Sequence, residues 1–332
     1  MVQTDEELLV HLLRGSALTQ VIASAVRFRI PDLTCDRTVT VAELTALTGI
    51  DESVLPRYLR TLEALNLIEE TSRGTYTGTT LAKLLRRDAG PLYGQALMSG
   101  TEYYDAWAQL DQCLTDGVSG LERSAGTTLW DRLLQQPDSA ASFARTMGWN
   151  SRRALAEVSV FYEFPNIGLI ADLGAGDGSF LAGILEGRTA LRGIALEHPA
   201  MVEHTRRTVR ATGLADRCDV VEGDILRGDL PTADLYILKS VLHNWNDDSA
   251  RMILSHCRRV MQPHSKLLII ERGFDDSDPL ASGIRDLTML VLFGGRDRTA
   301  DECSTLLRSA DFASTEIRAG AAGYFAVEGA LA

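Results

Sequence analysis

Three glycines at alternate positions, Gly174, Gly176 and Gly178, interrupt the chain just after the apolar run Ile170-Ala171-Asp172-Leu173. A turn built from residues without Cβ atoms can take positive φ, let a ligand lie against the backbone, and present the free N–H groups of the helix that follows. A full dinucleotide fingerprint, G-x-G-x-x-G, has glycine or alanine where this chain has Ser179, and its last glycine falls one place early, at Gly178. The departure favours a cofactor without a pyrophosphate. On the loop alone, an ordinary glycine-rich connection between strand and helix is an equal alternative.

Further polar residues with a suggestive placement follow. Glu197 lies about twenty residues beyond the loop, where an acid at the end of the second strand reaches ribose hydroxyls. Asp224, beside Gly223, can accept from an exocyclic adenine amine while Ile225 packs on the ring. His243 follows the apolar run Leu235 to Leu238 and the pair Lys239-Ser240. A histidine at the start of a helix more often only packs, but this one is expected at a strand end that faces the glycine loop. A flat substrate would find aromatic and sulfur surface at Trp107, Met147, Trp149, Met289 and Phe293, although most aromatics of this chain read as packing anchors.

These residues need a scaffold. Apolar runs at Ile170–Leu173, Gly193–Leu196, Asp219–Gly223, Ala233–Leu238 and Lys266–Ile270 alternate with helical patterns, and Ser314–Arg318 and Tyr324–Glu328 read as a closing hairpin. That alternation specifies an α/β fold, a doubly wound, Rossmann-like, mostly parallel sheet of seven strands, whose ligands bind beyond the carboxyl ends of the strands. The loop, Glu197, Asp224 and His243 all fall there. Before it, one helix is expected from Asp5 to about Phe28, with Gly15 its weak point and Pro31 its end. A capping box at Thr40 and Glu43 and a stretch from Asp51 to Leu65 predict two short helices. Two small strands, Ile68–Glu70 and Thr75–Gly78, complete a mainly helical winged-helix unit. The expected domains are 1–90, the winged helix; 91–165, a helical linker that contributes to the substrate pocket; and 166–332, which binds the cofactor.

Composition removes whole classes of partner. The 332 residues carry a net charge of −12, which opposes phosphate backbones and anionic membranes. The would-be DNA-reading helix sets Asp51, Glu52 and Glu63 against Arg57 and Arg60, so its face is acidic. Five scattered cysteines form neither a disulfide framework nor a zinc pattern. The acidic start, Met1-Val2-Gln3-Thr4-Asp5-Glu6-Glu7, has no signal-peptide pattern, and no apolar run approaches the roughly 20 residues of a membrane helix. We therefore expect a cytoplasmic protein without a metal, a nucleic acid or a membrane partner.

Taken in order, Asp172-Leu173-Gly174-Ala175-Gly176-Asp177-Gly178, Gly223-Asp224, Leu238-Lys239-Ser240-Val241-Leu242-His243-Asn244-Trp245, Glu271 at its strand end, and Gly294-Gly295-Arg296-Asp297-Arg298-Thr299 resemble the S-adenosylmethionine-dependent small-molecule O-methyltransferases that have an N-terminal winged-helix dimerisation domain, in their bacterial natural-product branch. The resemblance spans nearly the whole chain. It implies a homodimer, S-adenosylmethionine held by Asp172, Gly174, Gly176, Gly178, Glu197, Asp224, Ile225, Lys239 and Ser240, and S-adenosylhomocysteine as product. His243 matches the family's general base, Glu271 and Asp297 match the acids that orient it, and Asn244 falls beside the substrate. Two positions depart from the family pattern, which usually has Asp at 244 and Glu at 297.

The implied reaction is in-line attack of a hydroxyl oxygen, from a phenolic acid or polyketide-type aromatic, on the sulfonium methyl. A phenol near pKa 10 and a histidine near 6.5 differ by about 3.5 units, roughly 5 kcal/mol, so proton transfer must be concerted with attack or helped by a carboxylate on the ring. Relatives that have lost methyl transfer or turned to hydroxylation or decarboxylation form one competing expectation. A winged-helix regulator that senses a nucleoside is another, and an NAD-dependent oxidoreductase, disfavoured by Ser179, is a third.

Overall fold

A computed structural model describes residues Thr4–Gly320 and Gly323–Leu331. Met1-Val2-Gln3 of the acidic start lie outside these residues. The chain divides into two compact units, one ending at Tyr104 and the other beginning at Asp105.

In the first unit, the single helix expected from Asp5 to Phe28 is two helices, Asp5–Leu13 and Gly15–Arg27, bent by 42°. The break falls at the glycine, where the helix is weakest. The first helix buries none of its residues and exposes Leu8, Leu9, Val10, Leu12 and Leu13. Pro31 opens the short helix Ile30–Thr34, whose first turn has no use for the N–H that proline lacks. Thr40 and Glu43 close the expected capping box on the helix Val41–Thr48. The next helix begins only at Leu55, because the Asp51 carboxylate instead accepts from the Ser53 amide at 2.8 Å and forms a turn. To the two expected strands is added a third: β1 (Val39–Thr40), β2 (Ile68–Ser72) and β3 (Thr75–Gly78) pair antiparallel in the order β1-β3-β2. Val26, Ile30, Leu44, Leu55, Leu59, Leu62 and Ile68 form the core beneath them.

The second unit contains the doubly wound sheet. Its strands are β4 (Gly168–Leu173), β5 (Leu191–Glu197), β6 (Cys218–Glu222), β7 (Leu235–Lys239), β8 (Lys266–Arg272), β9 (Ser314–Ala319) and β10 (Tyr324–Ala330), in the spatial order β6-β5-β4-β7-β8-β10-β9. From β6 to β8 the pairing is parallel, while β10 runs antiparallel to both neighbours. β7 starts two residues later than expected because the Asp234 side chain leaves the strand to accept from the Leu169 amide at 2.8 Å.

Helices cover both faces, so the central strands are apolar on both sides. Ile170 and Ile237 pack into one core and Ala171 and Leu238 into the other. The chain moves outward from β4 to β6 and then returns to β7. This reversal leaves a crevice beyond the carboxyl ends of β4 and β7, where a ligand is not blocked by a connecting segment.

Candidate active site

The glycine loop crosses the mouth of that crevice. Gly174, Gly176 and Gly178 have φ of 78°, 64° and 82°, a region that costs a side chain roughly 1–2 kcal/mol. Space adds to the demand, since a Cβ on Gly174 would come within 3.0 Å of Val241 Cγ2. The loop is held from behind by Thr205 Oγ1, which donates to the Gly176 carbonyl at 2.7 Å, and by the Gly174 amide, which donates to Leu196 O at 2.9 Å. Ser179, at the fingerprint glycine position, opens the next helix and is held by the Asp177 carboxylate, which accepts from its amide at 3.0 Å and its hydroxyl at 2.6 Å.

Two buried carboxylates stand next to the loop. Glu197, at the end of β5, accepts from the Gly176 amide and, at 2.7 Å, from the His198 amide. Asp172, near the end of β4, is 1% exposed, and neither of its oxygens has a hydrogen-bond partner among the described residues. Burial pushes both up to about 7, and for Asp172 the Lys239 cation opposes that rise. Lys239 ends β7 and donates to Ser151 Oγ at 3.0 Å; burial draws its pKa down against the pull of Asp172, Asp177, Glu271 and Glu197. Asp224 uses one oxygen to accept from the Leu226 amide at 2.9 Å, and Ile225 beside it is buried. A polar cradle with unsatisfied acceptors on one wall fits a cationic, hydroxyl-rich nucleoside cofactor.

At Ser240 the backbone takes φ 54°, turns out of β7 and enters the short 3-10 turn Leu242–Asn244. His243 sits on this turn. Its Nδ1 lies 3.3 Å from Asp297 Oδ1 and 3.5 Å from Glu271 Oε2. Two carboxylates on that side favour the neutral tautomer with its proton on Nδ1, which leaves Nε2 as the acceptor. The other Glu271 oxygen accepts from the amides of Val241 and His243 at 3.2 and 3.3 Å, which ties the end of β8 to the turn.

Burial disfavours the charged ring, but Glu271 and Asp297 outweigh it and hold the His243 pKa above its ordinary value. Burial also raises Glu271, against His243. In Asp297 burial is overcome by His243 and Arg285, so its carboxyl lies below the usual range. Of the two acids, Asp297 is therefore the readily ionised one.

The expected substrate residues are distributed differently. Met147 and Trp149 lie half-buried on the helix Pro137–Val158, Met147 against the loop at Gly176, and the Arg153 guanidinium lies 4.8 Å from the Trp149 ring. Asn244 is half-buried beside His243, and Met289 and Phe293 lie on the helix Pro279–Phe293. Trp107 ends the helix Glu102–Trp107, and no hydrogen bond or ring pair links it to the others among the described residues.

Sequence reasoning missed the residues that join these parts. Trp130 lies 5.9 Å from both Phe293 and His198, connecting the helix of Met289 to the residue after Glu197. Arg298, 4% exposed, donates to the carbonyls of Leu242 and Trp245 at 2.7 and 2.8 Å and to Asp247 at 2.7 Å, clamping the turn of His243. Arg298 stands two residues after Gly-Gly-Arg in the Gly294–Thr299 segment, but only the fold reveals what it grips.

The O-methyltransferase domain family matches residues 107–313, and the O-methyltransferase dimerisation domain family matches residues 10–88. A phenazine O-methyltransferase of Lysobacter antibioticus is 33% identical over 323 residues, covering 97% of this chain and 95% of its own length. A mitomycin biosynthesis 6-O-methyltransferase of Streptomyces lavendulae is 31% identical, covering 91% of this chain and 87% of its own. An aclacinomycin 10-hydroxylase of Streptomyces purpurascens is also 31% identical, over 93% of this chain and 86% of its own. Among solved structures, an O-methyltransferase from neocarzinostatin biosynthesis, in complex with S-adenosylhomocysteine and 1,4-dihydroxy-2-naphthoic acid, superposes with a TM-score of 0.83 at 27% identity, covering 97% of this chain and 98% of that one. The chain belongs to the S-adenosylmethionine-dependent O-methyltransferase family that acts on small aromatic substrates. Its cofactor is S-adenosylmethionine.

Proposed function

We propose that this enzyme methylates a phenolic hydroxyl of a small aromatic natural-product intermediate, of phenolic-acid or polyketide type, with His243 as general base. The observation that carries the reading is the His243 ring, with Nδ1 held against Glu271 and Asp297 and Nε2 left to take the proton. S-adenosylmethionine, when bound, supplies a sulfonium methyl group to attack. Gly174, Gly176 and Gly178 would hold its amino-acid end through their backbone, with Asp172, Lys239 and Ser240 close by; Glu197 would accept from the ribose, and Asp224 and Ile225 would take the adenine.

His243 Nε2 then removes the acceptor's proton as its oxygen attacks. The ring's raised pKa narrows the roughly 3.5-unit gap to a phenol, and each unit gained removes about 1.4 kcal/mol from the proton-transfer cost. Fixing oxygen, carbon and sulfur in line supplies the rest. Asn244, Met147, Trp149, Met289, Phe293 and Trp107 would wall the acceptor. The helices of 91–165 would serve as the substrate-pocket segment between a winged-helix domain, 1–90, and a catalytic domain, 166–332. Leu12 and Leu13, exposed on the helix Asp5–Leu13 and inside the segment that matches the dimerisation domain, support a homodimer. Five free cysteines are consistent with a reducing cytoplasm. Among the described residues, no single helix is long and apolar enough to cross a membrane.

The test is incubation with labelled S-adenosylmethionine and a panel of phenolic acids, hydroxyphenazines and hydroxynaphthoates. A methylated phenol is the expected product. The hydroxylase relative at 31% identity favours one competing outcome, a product that has gained an oxygen and no methyl group, and that result would replace this reading.

A further inference from the structure

Arg285 and Asp286, consecutive on the helix Pro279–Phe293, both engage Asp297. Arg285 Nε donates to Asp297 Oδ2 at 2.6 Å, while the Asp297 amide donates to Asp286 Oδ1 at 2.8 Å. Arg285 is itself anchored, since its Nη2 donates to the Gly273 carbonyl at 2.7 Å, just beyond the end of β8 that carries Glu271. The chain of contacts therefore runs from Arg285 through one oxygen of Asp297 to its other oxygen and on to His243 Nδ1 at 3.3 Å.

The chemistry gives this arrangement a purpose. A ring placed against two buried carboxylates tends to stay protonated, and an imidazolium cannot act as a base. The charged groups facing His243 are Glu271 from β8, Asp297 from the loop after the helix, and Lys239 from the end of β7; Arg285 from the helix and Arg298 from the loop stand behind them. Arg285 is the cation paired directly with the more readily ionised acid.

We propose that Arg285 is a positioning residue that holds the Asp297 carboxylate and balances its charge, so that Asp297 orients His243 without locking it in the protonated state. The proposal rests on His243 as the general base. It also gives a physical role to the short aspartate at 297, whose carboxylate is reached from the helix by an arginine.

The test is a titration of the full-length protein with labelled histidine, followed by NMR, with His243→Gln used to assign the signal. In Arg285→Met the His243 midpoint rises by about 0.5–1 unit. Turnover with the best phenol of the panel then falls roughly three- to ten-fold at a pH below the midpoint, as the acid limb moves upward with it. Arg285→Lys, which keeps the charge, stays near the wild-type midpoint. In an Asp297→Asn background the Arg285→Met shift disappears. If Arg285→Met does not fold, Arg285→Gln, which keeps a donor for Gly273, reads the same shift. A midpoint that is unchanged or lower without the cation, or a Lys variant that behaves as Met does, overturns the proposal. A midpoint that moves while the acid limb does not leaves the role of Arg285 standing and overturns His243 as the base.

Discussion

Replacing Asp172 by asparagine probes the cofactor cradle through stability alone. The carboxyl is buried without a hydrogen-bond partner among the described residues, and burial pushes its pKa up to about 7 from an ordinary 3.8. Below the ordinary value both folded and unfolded chains hold the proton, so the group contributes nothing to pH dependence. Between about 4 and about 7 the unfolded chain releases it while the folded chain keeps it, and stability falls as pH rises. Above 7 both are ionised and the full cost remains, about three units or about 4 kcal/mol. Asparagine has no such window. Urea unfolding of cofactor-free Asp172→Asn and wild type, from pH 4.5 to 8, should therefore show the stability difference moving in favour of the variant by about 2–4 kcal/mol across that range and levelling off near pH 8. Glu197 titrates over the same window in both proteins, but the Asp172 charge helps raise it, so in the variant Glu197 is raised less and adds to the difference in the same direction. Adding S-adenosylmethionine should stabilise wild type more than the variant. Parallel stability curves would refute the reasoning, because they would mean that the buried charge costs nothing or that water reaches it.

His243→Ala should lose about 10²–10⁴ in turnover while S-adenosylmethionine still raises the melting temperature; turnover near wild type would leave orientation alone as the catalyst. In Glu271→Gln, loss of a carboxylate beside the ring lowers the His243 pKa, so the acid limb of the kcat profile shifts to lower pH and plateau turnover falls. Gly174→Ala must place a side chain at φ 78° against Val241, and should raise KM for the cofactor as well as cost about 1–2 kcal/mol of stability, read by initial rates and thermal unfolding. Leu9→Ser with Leu13→Ser should weaken the homodimer, measured by light scattering across a dilution series, because both side chains are exposed on a helix that buries nothing of its own.

The sheet, and the placement of Glu197, Lys239 and Glu271 at the carboxyl ends of its strands, were legible in the order of residue types. Apolar runs that lead toward the glycine loop, Glu197 and His243 have no reason to alternate with helical patterns unless strands are buried on both faces, and that alternation specifies a doubly wound, mostly parallel sheet, while the order of its strands is set by the fold. Local chemistry was legible too. The Thr40 capping box formed as expected, because it depends on residues three apart. Asp51 and Gly15 misled by a few residues, since a turn and a helix start compete there on small energy differences.

The sequence by itself determined which residues sit at the carboxyl edge of the sheet, because strand ends are marked locally by glycines, acids and the change of period. Tertiary structure alone decided which side chains face one another across it. No spacing in the chain announces that Arg285 grips Asp297, that Arg298 clamps the carbonyls of Leu242 and Trp245, or that Trp130 stands between Phe293 and His198. Those contacts form between elements distant in the chain, and their geometry depends on how the helices pack on the sheet. Charge follows the same division: the residue types set which groups can titrate, but burial at the switch point, which exists only in the folded chain, moves Asp172 and Glu197 to about 7.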